Sequence, residues 1–212
     1  MRIGIFGGSF DPVHLGHIGI ARAAIADLAL DKLIIVPASV SPFKTNAAPK
    51  EGLWQRLELV KAAFAPVERT VVDLREIERG GVSYAIDTVS EIVSEGGRED
   101  EYFFIVGEDA AVGLAKWKDI DKLKKLCTFK VYPRTKESSS RIRELFKQSK
   151  STLNPDEKIV SAVRAGLVKR NGYCPCRLAK LPEFFCPCEE FMAQMADPSF
   201  SGMCHCRLYL KP

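Results

Sequence analysis

Two histidines near the start of the chain have a type and spacing suited to binding phosphate. His14 and His17 follow the glycine pair Gly7-Gly8 in the stretch Gly-Gly-Ser-Phe-Asp-Pro-Val-His-Leu-Gly-His. Glycines let a backbone turn sharply and approach a ligand without a Cβ in the way. A helix beginning here would point unpaired N–H groups and the positive end of its dipole at a bound anion. We therefore expect a nucleotide-phosphate site in this loop.

A second group of reactive residues lies near the other end of the chain. Six of the seven cysteines form three short pairs, Cys174-Pro-Cys176, Cys186-Pro-Cys188 and Cys204-His-Cys206. Without an export signal, such clustering indicates metal or redox chemistry rather than a disulfide scaffold. Six thiols exceed the four that one zinc ion or one iron–sulfur cube requires. This surplus predicts four ligands and two redox-active thiols, with a structural zinc site as the alternative. The seventh, Cys127, is predicted to be an ordinary buried thiol.

Composition narrows the class of protein. The 212 residues are 46% hydrophobic and 27% charged, as in globular proteins that fold in water. The net charge of +4 is modest and spread along the chain, which argues against a nucleic-acid partner. No apolar stretch is long enough to span a bilayer, and Met1-Arg2 leads straight into a predicted strand. We therefore expect a cytoplasmic protein with no signal peptide and no membrane partner.

The pattern of apolar residues predicts the elements that position these groups. Predicted strands cover residues 3–6, 32–37, 70–73, 101–107 and 128–132. Predicted helices cover residues 17–29, 53–64, 84–95 and 119–126. Alternation of this kind predicts an α/β fold, a parallel sheet with helices on both faces and a ligand at the carboxyl ends of the strands.

The tail is predicted to be a separate, mainly α-helical module. Residues 147–153 are polar and serine-rich, as in a linker. Asn154 is the predicted N-cap of an amphipathic helix that passes through Leu167 and ends at Asn171-Gly172. The predicted domains are therefore residues 1–146 and 147–212.

The first domain resembles a known enzyme family. The string Gly-x-Phe-Asp-Pro-x-His-x-Gly-His resembles the signature of the nucleotidylyltransferase superfamily, whose fold is Rossmann-like. More narrowly, residues 1–146 resemble bacterial nicotinate-nucleotide adenylyltransferase, which joins nicotinate mononucleotide to the AMP part of ATP. The matching pieces are residues 7–17, 36–44, 76–84 and 104–109, Trp117, Arg134 and residues 138–143.

This resemblance implies roles for individual residues. The implied ATP-binding residues are Gly7, Gly8, Ser9, Phe10, His14, His17, Gly107, Asp109, Ser139, Ser140 and Arg143. The implied substrate-binding residues are Lys44, Tyr84, Thr88, Trp117 and Arg134. His14, His17, Lys44 and Arg143 are the implied catalytic residues. The histidines would bind the ATP phosphates, Arg143 would hold their β/γ end with Mg²⁺ bridging them, and Trp117 would stack on nicotinate.

Two alternatives for the first domain stay open. Only Thr135-Lys-Glu137 separates Arg134 from Ser138, where the family usually has a further helix–strand unit. One alternative is a nucleotide-binding scaffold without catalysis. The other is a pantetheine-phosphate adenylyltransferase, suggested by the short Ser-Ser-Ser-x-Ile-Arg region, although Trp117 and the loop at 41–44 favour nicotinate mononucleotide.

The tail resembles the catalytic chain of ferredoxin:thioredoxin reductase. The resemblance covers Leu153-Asn-Pro-Asp, Gly172-Tyr-Cys-Pro-Cys-Arg and the two later cysteine pairs. That family uses a [4Fe–4S] cluster beside a disulfide to pass electrons from ferredoxin to a target disulfide. The resemblance implies cluster ligands at Cys174, Cys186, Cys188 and Cys204. It also implies an active disulfide between Cys176 and Cys206, a proton donor at His205, a ferredoxin-like electron donor and a thioredoxin-like target.

Overall fold

The computed structural model describes residues 1–43, 53–133 and 138–212. Its strands are β1 (Arg2–Gly8), β2 (Lys32–Pro37), β3 (Thr70–Val72), β4 (Glu101–Gly107), β5 (Thr128–Tyr132), β6 (Thr152–Leu153), β7 (Gly202–Met203) and β8 (Tyr209–Lys211). Its helices are α1 (Leu15–Asp27), α2 (Leu53–Phe64), α3 (Arg75–Arg79), α4 (Ala85–Glu95), α5 (Glu108–Ala111), α6 (Ile120–Leu126), α7 (Ser139–Gln148), α8 (Glu157–Lys169) and α9 (Glu189–Ala196).

The chain divides into two compact units that are discontinuous in sequence. The first unit comprises Met1–Asp11, Gly16–Gly52 and Val67–Lys136. The second comprises Pro12–Leu15, Leu53–Pro66 and Glu137–Pro212. The domain boundary at residue 146 stays a prediction.

None of the helices in the described ranges has the length and hydropathy that crossing a membrane requires.

The first unit is built on a parallel sheet, as the alternating pattern predicted. Its five strands lie in the order β3-β2-β1-β4-β5, and each pairs in parallel with its neighbours. The strand order reverses between β1 and β4. In open α/β sheets, ligands bind outside the carboxyl ends of the strands at such a reversal.

Helices cover both faces of this sheet. On one face Ile5 packs in a buried cluster with Val89 of α4 and Leu123 of α6. On the other, the ring of Phe6 lies 6.2 Å from that of His17 in α1, between centroids, and a Cβ on Gly4 would lie 2.5 Å from Leu30 Cδ1 just after that helix. The predicted Rossmann-like arrangement is therefore confirmed.

The second unit contains the residues between Cys174 and Cys206, which we call the cysteine segment. A small antiparallel sheet of order β6-β8-β7 includes one strand of this segment, β7. Leu167 of α8, Phe191 of α9 and Leu208 share one buried cluster with four of the cysteines. These thiols are therefore part of the hydrophobic core of the second unit.

Two expectations for the start of the tail are wrong. Residues 147–153 are not a linker, because α7 continues to Gln148 and β6 pairs with β8. The N-cap of α8 is Asp156, whose side chain accepts hydrogen bonds from Lys158 N and Ile159 N. Asn154 instead donates from Nδ2 to the carbonyl of Arg207 at 2.8 Å, so it joins the helix entrance to the end of the cysteine segment.

Candidate functional site

The glycine-rich loop follows β1 at the carboxyl edge of the sheet, beside the point between β1 and β4 where the strand order reverses. A Cβ on Gly8 would lie 3.1 Å from Phe10 Cζ, so the ring of Phe10 leaves little room for any larger residue there. Phe10 has a φ of 45° and is 1% exposed. Its ring packs edge-on against His17, with centroids 4.9 Å apart. Phe10 therefore shapes the loop and orients the histidine.

His17 lies in the first turn of α1, where an anion would meet the unpaired N–H groups of the helix. The ring of Phe6 lies 6.2 Å from it, between centroids, so β1 also supports the imidazole. The first turn of α1 contains no acidic residue. The structure thus places Gly7, Gly8, Ser9, Phe10 and His17 in one strand–loop–helix segment suited to binding phosphate.

The end of the neighbouring strand β4 carries two further predicted ATP-binding residues. Asp109 is exposed, and its Oδ1 accepts a hydrogen bond from Ala110 N at 3.0 Å. A Cβ on Gly107 would lie 2.9 Å from that same oxygen, so glycine leaves the carboxylate room to turn back over the strand end. Both residues lie at the carboxyl edge of the sheet beside β1.

The predicted nicotinate-stacking residue packs against aromatic side chains. The ring of Trp117 lies edge-on to Phe104 of β4 at 5.5 Å and to Phe129 of β5 at 6.2 Å, between centroids. It is half-buried, so part of the indole remains accessible. Tyr84 precedes α4, and Lys118 Nζ lies 4.5 Å from the centroid of its ring. The substrate-binding roles of Trp117 and Tyr84 remain predictions.

The carboxyl group of Glu76, to which the sequence analysis gave no role, is buried and contacts Thr88, one of the predicted substrate-binding residues. Thr88, 1% exposed, donates from Oγ1 to Glu76 Oε1 at 2.6 Å and accepts from Arg79 Nη2 at 3.0 Å. Desolvation raises the pKa of Glu76 above its usual range, against hydrogen bonds from Thr88 and Ser83. Ser83 Oγ also accepts from Ser39 N at 2.9 Å, so the network fixes the loop after β2. In the sequence, the only indication of this network is that an acid and several hydroxyl residues occur together between residues 76 and 88.

The other predicted phosphate-binding residues belong to the second unit. Ser138 caps α7, accepting a hydrogen bond from Arg141 N at 3.2 Å. Arg143 Nη2 donates to Ser140 Oγ at 3.1 Å, so the two predicted ligands of the β/γ phosphates hold each other in the first turns of the helix. These contacts give the positive end of α7 a defined arrangement.

The loop that carries His14 is joined to this helix. Ser139 Oγ donates to the carbonyl of Pro12 at 3.0 Å. His14 is 8% exposed. Lys44 and Arg134, the remaining predicted residues of this site, lie outside the described residues.

The cysteine segment brings thiols from its three pairs into one core. Cys174, Cys188, Cys204 and Cys206 are buried, Cys186 is half-buried, and Cys176 is exposed. The Sγ atoms of Cys204 and Cys206 lie 3.6 Å apart. No disulfide joins any of these six cysteines in the part of the chain that the structure describes, so the pairing of Cys176 with Cys206 stays a prediction. His205 is exposed.

Contacts among the thiols shift their proton affinities. A hydrogen bond with Cys206 lowers the pKa of Cys174 and that of Cys204 to about 6 in each case. The same contacts, together with burial, raise the pKa of Cys206. Burial raises the pKa of Cys188. Within the described ranges, however, no three His, Cys, Asp or Glu side chains are arranged as a metal-ion site, so the predicted cluster and its ligands are not shown.

Comparison with known proteins identifies the family to which the chain is similar. The cytidylyltransferase-like family model matches residues 5–169, which ends before the first cysteine pair. A probable nicotinate-nucleotide adenylyltransferase from Chromobacterium violaceum is 42% identical over 130 residues, 61% of this chain and 61% of the relative. One of the same name from Aliarcobacter butzleri is 36% identical over 163 residues, 77% of this chain and 85% of the relative.

A solved structure shares the fold. Plasmodium falciparum nicotinic acid mononucleotide adenylyltransferase, complexed with NaAD, has a TM-score of 0.51 at 15% identity, covering 70% of this chain and 83% of its own. The glycine-rich loop and α7 both lie within the residues that the family model matches. The chain therefore belongs to the cytidylyltransferase-like family, and within it to the group of proteins named nicotinate-nucleotide adenylyltransferases.

Proposed function

We propose that this protein transfers the adenylyl group of ATP to nicotinate mononucleotide, forming deamido-NAD and pyrophosphate. The observation that carries the proposal is the segment from Gly7 to His17. It joins a tight loop, a supported imidazole and a helix N-terminus at the strand-order reversal between β1 and β4. We infer the substrate, nicotinate mononucleotide, from the names of the family relatives.

The reaction requires positioning more than covalent chemistry by the protein. A phosphate oxygen of nicotinate mononucleotide attacks the α-phosphorus of ATP, and the bond from that phosphorus to the β-phosphate oxygen breaks. Negative charge grows on the departing pyrophosphate. His17 and the N-terminus of α1, and Arg143 with Ser140 on α7, would stabilise that charge.

Mg²⁺ would neutralise further charge on the ATP phosphates. In nucleotide enzymes Mg²⁺ keeps several waters and binds through substrate phosphates with one or two carboxylates. The described residues fit that mode, since Asp109 offers an exposed carboxylate at the carboxyl end of β4.

Substitution of the phosphate-binding residues tests the proposal. His17→Ala and Arg143→Ala should each lower kcat by about 10²- to 10³-fold, because preorganised charge stabilisation is lost. Arg141→Ala is the matched control, being an exposed arginine on the same helix with no assigned role. Its kcat should stay near that of the wild-type protein. The measurement is chromatography of dinucleotide formed from Mg-ATP and nicotinate mononucleotide.

A substrate panel separates the alternatives. Product from pantetheine phosphate but not from nicotinate mononucleotide would identify the rival enzyme of the same superfamily. ATP binding with no turnover on any nicotinate, nicotinamide or pantetheine phosphate would show a nucleotide-binding scaffold. Either outcome would refute the proposed function.

We propose as a second function that the cysteine segment is an iron–sulfur disulfide reductase. The observation that favours it is that three Cys-x-Cys pairs share one core, with four thiols buried and Cys176 exposed. Cys174, Cys186, Cys188 and Cys204 would hold a [4Fe–4S] cluster, which supplies electrons one at a time when bound.

The other two thiols would carry out the exchange. The exposed thiol of Cys176, once its proton has passed to a base, would attack one sulfur of a thioredoxin-like target disulfide. A mixed disulfide would form and the target's other sulfur would be released as a thiol. Cys206 would then displace the target as a dithiol, with His205 transferring a proton, and a Cys176–Cys206 disulfide would remain. Two electrons from a ferredoxin-like donor and two protons would restore the thiols.

Protein purified without air tests this second function. We expect iron, acid-labile sulfide and visible absorbance. Cys176→Ser should keep the absorbance and lose disulfide reduction, whereas Cys186→Ser should lose the iron. Stoichiometric zinc in colourless protein would refute the proposal and support a structural zinc site.

A further inference from the structure

Helix α7 connects the predicted phosphate ligands to the core of the cysteine segment. Arg143 lies three residues before Phe146, a spacing that puts both side chains on one side of a helix. The ring of Phe146 packs edge-on against Tyr209 at 4.8 Å and against Phe191 at 6.0 Å, between centroids. Phe191 and Tyr209 stack on each other at 5.5 Å. We call these three rings the aromatic triplet.

One ring residue of the aromatic triplet is hydrogen-bonded directly to a cysteine, and another packs beside one. Tyr209 N donates to Cys204 Sγ at 3.3 Å, and Cys204 N donates to the carbonyl of Tyr209 at 2.9 Å. Phe191 belongs to α9, which begins directly after Cys188, and the two side chains lie in one buried cluster. A displacement of either sulfur therefore acts on a ring that touches α7.

The opposite end of α7 is bonded to the phosphate loop. Ser139 Oγ donates to the carbonyl of Pro12, two residues before His14. The path from Cys204 through Tyr209, Phe146 and Ser139 to Pro12 lies wholly within the second unit. Its steps are direct contacts except the one from Phe146 to Ser139, which runs along α7 itself, and a packed core transmits small displacements.

We propose that the redox state of the cysteine segment controls ATP binding through α7, with Phe146 as the positioning residue. The inference rests on the proposed adenylyl transfer. With the thiols reduced, the aromatic triplet holds α7 where Arg143 and Ser140 meet the phosphates. When Cys176 and Cys206 give two electrons and two protons to a disulfide or another thiol oxidant, a disulfide forms between them. Cys206 Sγ lies 3.6 Å from Cys204 Sγ, so Cys204 is displaced, and α7 moves with Tyr209.

Diamide, an azo oxidant, is the probe. It takes two electrons and two protons from a pair of thiols and becomes a hydrazine, while the thiols become a disulfide. The full chain is assayed for dinucleotide formation with and without diamide, and KM for ATP and kcat are determined separately. We expect oxidation to raise KM for ATP by about fivefold or more, as for typical allosteric couplings, with a smaller change in kcat. Dithiothreitol should reverse the effect.

Variants show whether the effect passes through the aromatic triplet. Phe146→Leu should remove the response of KM to diamide. Phe191→Leu, which leaves α7 unchanged, should do the same and serves if Phe146→Leu fails to fold. Phe185→Leu is the matched control. Phe185 is buried and packs on Tyr173 in the same unit, outside the aromatic triplet, so its variant should keep the full response.

The outcomes separate this inference from the function on which it rests. No dinucleotide from the reduced wild-type protein would refute the adenylyl transfer itself. Dinucleotide formation with a KM for ATP that diamide leaves unchanged would overturn the inference alone. A response that persists in Phe146→Leu and Phe191→Leu would overturn the role of the aromatic triplet.

Discussion

Removing the N-cap of α7 should weaken ATP binding by an amount that follows from one hydrogen bond. In Ser138→Ala the side chain that accepts from Arg141 N is lost at a position that is 7% exposed. Loss of a serine cap costs about 1 kcal/mol, with a range of roughly 0.5 to 2 kcal/mol. The free energy of forming the first turn of α7, which contains Ser140 and precedes Arg143, would become less favourable by that amount.

The cost should appear in KM for ATP rather than in kcat. If ATP binding has to restore the frayed turn, 1 kcal/mol corresponds to an increase of about fivefold in KM. Steady-state kinetics with varied Mg-ATP measure it. Ser138→Thr keeps a hydroxyl that can cap the helix and should have a KM close to that of the wild-type protein.

A second N-cap supplies the matched control. Asp156→Ala removes the side chain that accepts from Lys158 N at 2.9 Å at the start of α8. Its cost in the free energy of unfolding should be similar, yet KM for ATP should not change. Equal increases in KM for Ser138→Ala and Asp156→Ala would refute the reasoning, because general loosening of the second unit would then explain both.

Two further predictions concern buried titratable groups. Because burial raises the pKa of Glu76, the folded state loses stability as pH rises from the unfolded pKa to the folded one. Glu76→Gln should therefore gain stability relative to the wild-type protein over that interval and none below it, in denaturant unfolding from pH 4 to 8; parallel curves would contradict this. Burial raises the pKa of Cys127 to about 12, so only about one thiol in ten thousand is ionised at pH 8. Cys127→Ala should leave the number of thiols that react rapidly with an aromatic disulfide reagent unchanged, and a decrease by one would disprove the assignment.

Local sequence patterns identified the strands of the first unit because its three central strands, β1, β2 and β4, are buried apolar runs. The strands 32–37, 101–107 and 128–132 agree with β2, β4 and β5. The short strands of the second unit were not predicted, because they show no local pattern. The two-residue strands β6 and β7 have too few residues for any periodicity, and their pairing with β8 joins residues more than fifty positions apart in one case.

The candidate site was predictable where a short string determines its geometry. The loop from Gly7 to His17 has its glycines, histidines and helix start within eleven positions, so their proximity follows from the sequence. The buried network of Glu76, Thr88 and Ser83 did not follow, because a carboxyl on a helix is usually solvated. Only the folded structure shows that Glu76 is 6% exposed.

The second unit shows how the cysteines relate to the family fold. The family match continues to residue 169, through α8, and stops five residues before Cys174. Yet Val160 and Leu167 of α8 share a buried cluster with Cys174, Cys188, Cys204 and Cys206. Asn171 Nδ2 also donates to the carbonyl of Ala62 in α2 at 3.1 Å. Helices within the family match therefore form part of the core in which the thiols lie. Because a packed core transmits small displacements, we expect any shift of a cysteine sulfur to act on these helices.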